Sequence, residues 1–319
     1  MMKLVFAGLL LLAGSALAQA DGPYPSKPIR FVVATGPGST SELSSRAVAK
    51  RLTATLGQAV VVETRPGASG QVALRHVLAS EPDGYTFAIV SASSSTVPPA
   101  VTKSMPYDIL KDFVPVSTIA NTFLMLTVAK DSSFNSVADV VAAAKKEPGK
   151  YTYGDSATLY TLSMEMFKQL AGINIVAVKY KSPGQGAVDL IGGTLSMMPD
   201  SIGSASANLN AGRTRALALF SAQRKAAMPG IATMIELGYP DFVFDGWIGV
   251  LARAGTPPTI VQRVAREIRA AVATDEIKTQ FAALLLEPTS MTPEEFAVMI
   301  ARETARYEKI ARDGNIEKQ

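Results

Sequence analysis

Between Thr35 and Glu42 the chain reads Thr-Gly-Pro-Gly-Ser-Thr-Ser-Glu, a run rich in hydroxyls that contains no lysine, arginine or histidine. It follows an apolar segment over 29–34 and precedes a helical pattern over 42–56, which makes it a strand-to-helix turn. A helix N-terminus offers unpaired N–H groups and a partial positive charge, and Ser39, Thr40 and Ser41 add donors without formal charge. Such a turn suits a carboxylate. The same hydroxyls also cap helices, so Thr40 or Ser41 reads either as a ligand donor or as an N-cap. Phosphate chemistry fits less well. From Gly36 there is neither the second glycine nor the lysine of a P-loop, and Ser41 stands where a dinucleotide fingerprint needs its third glycine.

Other chemistries are limited by what the chain lacks. It has no cysteine and one histidine, His76, so a zinc site would have to be built from carboxylates. A Ser-His-Asp triad would have to recruit His76, and no G-x-S-x-G elbow presents a nucleophile; Gly67-Ala68-Ser69-Gly70 has the wrong spacing. His76 lies in a helical stretch whose Val72, Val77 and Leu78 are expected to face a core, which suits a structural histidine. No metal, cofactor or catalytic residue is expected.

The elements that must position the turn repeat one unit. Strand patterns at 60–63, 85–90, 116–128, 151–154 and 175–180 alternate with helical patterns that follow polar loops. One such loop is Ser91 to Thr96, which includes Ser93 and Ser94. Others run through Asp155, Ser156 and Thr158, and through Tyr180. Asp200 follows a strand-like segment and either meets a ligand or caps a helix over 202–209. Strands alternating with helices imply an α/β fold with a mainly parallel sheet, which binds ligands at the carboxyl ends of its strands. A helix over 293–312 carries Phe296, Met299, Ile300 and Tyr307 on one stripe and is expected to dock on the first lobe.

The 319 residues, 48% hydrophobic and 18% charged, are enough for two lobes. Lys3, the apolar run 4–13 and Ala16-Leu17-Ala18 form a signal peptide cleaved after Ala18. Its removal leaves 30 basic against 27 acidic residues, too small an excess to suggest nucleic acid. A soluble exported protein without disulfides fits, which in a bacterium means the periplasm.

The motifs YPSKPIRFVV, GPGSTSE, GQAVVVETRPGASG, EPDGYTF, MPYDILKDFVPVS, VKYKSPGQGAVDLIGG and GWIGVLARAGTPPTIVQRV occur in that order. With them the chain resembles the tripartite tricarboxylate transporter solute-binding family, also called the Bug family, from Tyr24 to about Ile310. The resemblance implies a two-lobe periplasmic binding protein fold of the type II kind. Lobe one would be 24–122 plus 246–319 and lobe two 123–245, with a hinge that closes on a ligand. It implies capture without chemical turnover and delivery to inner-membrane permease subunits, by a monomer. The ligand would be a small carboxylate, whether dicarboxylate, aromatic acid or amino acid.

At the family's first loop Pro37 and Gly38 match, Ser39 replaces a second glycine and Glu42 keeps the acidic position. Lobe two departs from the pattern at Gly154 to Thr161, where the loop is shorter, lacks later glycines and introduces Asp155. Asp155 either caps the helix beginning near Ala157, as aspartate favours, or accepts a hydrogen bond from the ligand. The family also places Tyr180 near the cleft. Two alternatives share parts of this reading: a ligand-sensing subunit for a membrane signalling partner, and an exported serine hydrolase.

Overall fold

The computed structural model describes residues 24–318; the leader over 1–18 and its cleavage after Ala18 lie outside the described residues. The strands are β1 (Ile29–Val33), β2 (Val60–Thr64), β3 (Thr86–Ser91), β4 (Phe113–Ala129) and β5 (Thr152–Asp155). They continue with β6 (Val176–Lys179), β7 (Met198–Ser201), β8 (Thr214–Leu219), β9 (Asp245–Arg253) and β10 (Glu287–Pro288). The first helices are α1 (Thr40–Leu56), α2 (Gln71–Leu78), α3 (Pro98–Val101), α4 (Val137–Lys146) and α5 (Thr158–Ala171). The rest are α6 (Pro183–Ile191), α7 (Ile202–Asn210), α8 (Pro258–Val272), α9 (Asp275–Ala283) and α10 (Pro293–Asp313).

The main sheet runs β10-β4-β9-β3-β1-β2, and β7 and β8 pair with the far half of β4. Its apolar interior follows from the sequence: Phe31, Val33, Phe87 and Ile89 are fully buried, and Val48 and Leu52 on α1 cover them at helical spacing. Each such side chain contributes roughly 1.5–3 kcal/mol by leaving water. Helix α1 stops at Gly57, whose φ of 71° supplies the left-handed C-cap. On α2 the buried residues are Ala73, Leu74 and Val77, whereas Val72, expected in the core, is 45% exposed.

The sheet is not mainly parallel. Strand β1 runs parallel to β2 and β3, but β9 is antiparallel to both β3 and β4. The reason is the return of the chain: β4 leaves lobe one, and β9 comes back beside it, pairing Phe123 with Asp245 at the crossing. The 17-residue β4 therefore belongs to both lobes, pairing with β9 along its first part and with β7 and β8 beyond Phe123. Lobe two adds the parallel pair β5–β6, joined to β7 by a bridge between Tyr153 and Met197.

Helix α10 also departs from expectation. Phe296, Met299 and Ile300 pack into lobe one with Trp247 and Leu251, as expected. Tyr307, Ile310 and Ala311 instead enter the lobe-two core with Phe167 and Phe244. The helix is long enough, at 21 residues, to span the crossing strands.

Candidate functional site

Because β1, β2 and β3 are parallel, the loops that follow them emerge on one side: 34–39, 65–70 and 91–95. Lobe two presents the loop after β5, and the crossing strands β4 and β9 form the floor. These segments enclose two adjoining compartments. The inner one, about 240 Å³, has Ser39, Thr40 and Ser41 on one wall, Ala157, Leu159 and Tyr160 on the other, and Thr122, Leu124, Trp247 and Ile248 beneath. The outer one, about 370 Å³, lies between Ser69, Ser93 and Ser94 of lobe one and Ser156 and Thr158 of lobe two. Thr35, Ser91, Ser93 and Ala157 line both, so the two spaces form one cleft. The walls meet at the rim, where a Cβ on Gly203 of α7 would stand 3.5 Å from Thr40 Cγ2.

The α1 turn is held from within. Ser39 is the N-cap: its hydroxyl accepts from the Glu42 N–H at 3.3 Å and lies 2.7 Å from the Thr35 hydroxyl. Gly38 takes φ +77°, a left-handed conformation that glycine adopts freely. Neither Thr40 nor Ser41 caps the helix, and among the described residues no group engages either hydroxyl, so both remain available in the cleft. Glu42 turns away from it. Its buried carboxylate accepts from the Gly38 N–H at 3.3 Å and from Arg46 Nε, and the Arg46 hydrogen bond holds it below the usual range. Glu42 shapes the turn rather than lining the cleft.

The 91–95 turn is likewise self-tied. The Ser94 hydroxyl accepts from the Ser91 N–H at 3.0 Å and is 3.1 Å from the Ser91 carbonyl, while Ser93 is exposed with its hydroxyl free. In lobe two Ala157 occupies the N-cap of α5 and has no side-chain acceptor to offer, so the N–H groups of Thr158 and Leu159 stay open, whereas that of Tyr160 donates to the Ala157 carbonyl at 2.8 Å. Asp155 does not cap the helix. It is the last residue of β5, 2% exposed, and accepts from the Thr161 hydroxyl at 2.9 Å and from Lys179 at 2.5 Å. Ser156 keeps a buried hydroxyl without a partner.

Tyr180 and Asp200 also stand behind the walls. The Tyr180 hydroxyl donates to Asp189 at 2.7 Å, and burial pushes its pKa up to about 12. Asp200 accepts from the Ser204 hydroxyl, while Ser201, not Asp200, caps α7. Burial raises its carboxyl to about 6, against hydrogen bonds from Ser204, Ser201 and Tyr160. Of the residues expected from sequence, Ser39, Thr40, Ser41, Ser93, Ser94, Ser156 and Thr158 therefore line the cleft. Gly38, Glu42, Asp155, Tyr180 and Asp200 support it. Sequence reasoning missed Thr35, Ser69 and Tyr160; the strand-end rule, applied to the loop after β2, would have found Ser69.

Among the described residues, none lining either compartment carries a formal charge. The N-termini of α1, α5 and α7 all open into the inner one, through Ser39, Ala157 and Ser201. Each adds a partial positive charge of about half a unit. The site can thus hold an anion by dipoles and hydrogen bonds, against an apolar floor. His76, on which a triad would depend, lies on α2 beside Glu63, 3.5 Å away, and does not line the cleft.

The model of the tripartite tricarboxylate transporter family receptor matches residues 44–316. The chain belongs to that family. Among relatives, it is 34% identical to Protein BugT of Bordetella pertussis over 310 residues, covering 94% of this chain and 93% of BugT. A solved structure of R. palustris Rpa4515 with adipate superposes with a TM-score of 0.81 at 31% identity, covering 93% of this chain and 100% of the other. A structure described as a periplasmic transporter gives a TM-score of 0.78 at 33% identity over 92% of this chain and 99% of that one. The fold of this receptor family is the two-lobe periplasmic binding protein fold, and its function is solute binding.

Proposed function

We propose that the protein captures a small carboxylate in the periplasm by hinge closure and hands it to an inner-membrane tripartite tricarboxylate-type permease, without chemical turnover. The observation that carries this is the uncharged cleft whose walls come from different lobes and end in open donors, Thr40 and Ser41 on one side and the α5 N-terminus on the other. A carboxylate bridging these walls completes contacts that neither lobe makes alone, which shifts an open-closed equilibrium toward closed. The adipate bound by the R. palustris relative supports the ligand class. The pairing of Phe123 with Asp245 supports placing the crossing there, with proposed lobe limits of 24–122 plus 246–319 and 123–245. Export with cleavage after Ala18 completes the reading.

The test is a thermal-shift screen over small carboxylates, sugars and cations, followed by small-angle scattering with the best binder. A ligand at about a hundred times its Kd adds about 2.7 kcal/mol of apparent stability. Stabilisation by acids with a smaller radius at saturation is the expected result. Stabilisation by a sugar or cation, and by no acid, would overturn the carboxylate assignment.

A further inference from the structure

We propose that the groove between α5 and α10 is a second ligand site, outside the interlobe cleft, where Arg302 and Arg306 hold the acid group of an organic anion and the α5 side takes its apolar body. The groove has a volume of about 640 Å³, larger than either compartment of the cleft, and shares no lining residue with them. The inference goes beyond the carboxylate reading of the cleft and does not depend on it.

Arg306 is the central group. Its side chain is half-buried, with the guanidinium Cζ 4.8 Å from the centroid of Phe244, a ring fully buried in the lobe-two core. That ring attracts the cation through one face but accepts none of its N–H donors in their plane. Among the described residues the one group that accepts from them is the Met166 thioether, a weak acceptor 3.9 Å from Nη2. Burial lowers the pKa of Arg306, although a guanidinium stays protonated. A cation withdrawn from water ordinarily has a carboxylate against it, and this one faces the groove instead.

The carboxylates of the groove are engaged elsewhere or stand too far off. Glu303 accepts from Trp247 Nε1 and from the Thr96 hydroxyl, and Asp313 pairs with Lys309. Asp241 lies near enough to favour the charged form of Arg306 but within ion-pair distance of neither arginine. The uncommitted charges are then two guanidiniums against one carboxylate, an excess of positive charge. Arg302 is exposed and stands one turn before Arg306 on the same face of α10, so both forks reach one oxyanion from adjacent turns.

The other wall is apolar. Met166 and Leu170 stand one turn apart on α5 and line it with Val243 and Ile310, and Leu170 is 44% exposed. An inorganic anion meets the arginines and leaves this wall in water, whereas an alcohol covers the wall and leaves the guanidiniums without an acceptor. An acid on a short apolar body serves both.

Methionine-methyl NMR on the full mature chain tests this with octanoate as the probe, beside octanol, which keeps the chain without the charge, and inorganic phosphate, which keeps the charge without the chain. The Met166 signal, identified by its loss in Met166→Leu, reports the groove and not the cleft. It is expected to move along a saturating curve with octanoate, and octanol and phosphate are each expected to bind there at least about tenfold more weakly. Arg306→Gln is expected to weaken the octanoate curve about tenfold or more, and Arg306→Lys less, since lysine keeps the charge without the fork. Arg302→Gln, at an exposed position, is expected to weaken it in the same direction and keeps the test open should Arg306→Gln fail to fold. A Met166 signal that octanoate leaves in place, or that follows the same curve in both glutamine variants, overturns the site. Octanol or phosphate matching octanoate overturns it too. None of these failures touches the reading of the cleft, whose own ligand is read at Trp247.

Discussion

Asp155 and Lys179 are register partners across the parallel strands β5 and β6, and their side chains meet at 2.5 Å between Oδ2 and Nζ. The pair is asymmetric: the Asp155 side chain is 1% exposed and that of Lys179 is 74% exposed. The two single substitutions therefore differ. Lys179→Met leaves a buried carboxylate with only the Thr161 hydroxyl to serve it, whereas Asp155→Asn releases a lysine that solvent already reaches. Lys179→Met is expected to cost about 1–3 kcal/mol by urea denaturation, and Asp155→Asn less. Equal, negligible losses would show that the pair contributes nothing to holding the cleft wall.

This pair also shows where the sequence stops being readable. The alternation of strands with helices and the polar strand-end loops are local signals, and they led to the α/β fold and to seven lining residues. Lys179 lies 24 positions from Asp155, so only the β5–β6 register joins them. Without that register, Asp155 read either as a helix cap, a role its residue type favours, or as an acceptor for the ligand. The antiparallel return of β9 and the reach of α10 into lobe two were hidden for the same reason, since both depend on where the chain crosses between lobes. Ser69 differs: the strand-end rule reaches its loop, but the left-handed backbone that it adopts there has no signature in the sequence.

The assignment of Ser39 as the α1 cap separates stability from binding within three adjacent residues. Ser39→Ala is expected to cost about 1 kcal/mol of stability through the lost cap. Thr40→Val with Ser41→Ala removes two hydroxyls that no group among the described residues uses, so it is expected to leave stability unchanged and weaken carboxylate binding about tenfold or more. Melting curves and calorimetry on the same samples check both. A double variant that unfolds early but keeps its affinity would return these residues to a structural role.

Asp200 makes stability depend on pH with a definite sign. Its carboxyl is raised from 3.8 to about 6 by burial, so the folded state holds the proton more tightly than the unfolded one. The neutral form's advantage is fully present below about pH 4 and is lost as pH rises through about 6. At neutral pH the ionised group then opposes folding by up to about 3 kcal/mol, from 1.36 kcal/mol for each pH unit. Asp200→Asn is expected to raise stability at pH 7 to 8 and to flatten the profile between about pH 4 and 6. Chemical denaturation across that range decides it, and parallel profiles for the two proteins would place the proton elsewhere.

Trp247 joins the cleft to the helix that spans both lobes. Its ring lies on the floor of the inner compartment, and its Nε1 donates to Glu303 Oε2 at 2.8 Å on α10. Glu303 is buried, which raises its carboxyl, and it also accepts from the Thr96 hydroxyl at 3.2 Å. Trp247→Phe keeps an aromatic floor but removes one of these two donors, so it is expected to cost about 1.5–3 kcal/mol, the range for a hydrogen bond to a charged group. Trp247 is the only tryptophan in the chain, so its emission reports this one place. Trp247 is only 2% exposed, so a ligand that enters the inner compartment acts on it by changing the polarity beside it. Titration with a binding acid is therefore expected to shift or quench the emission along the same curve that calorimetry gives. A saturating ligand that leaves the emission untouched would have to bind away from the floor, and the inner compartment would then not be where the acid sits.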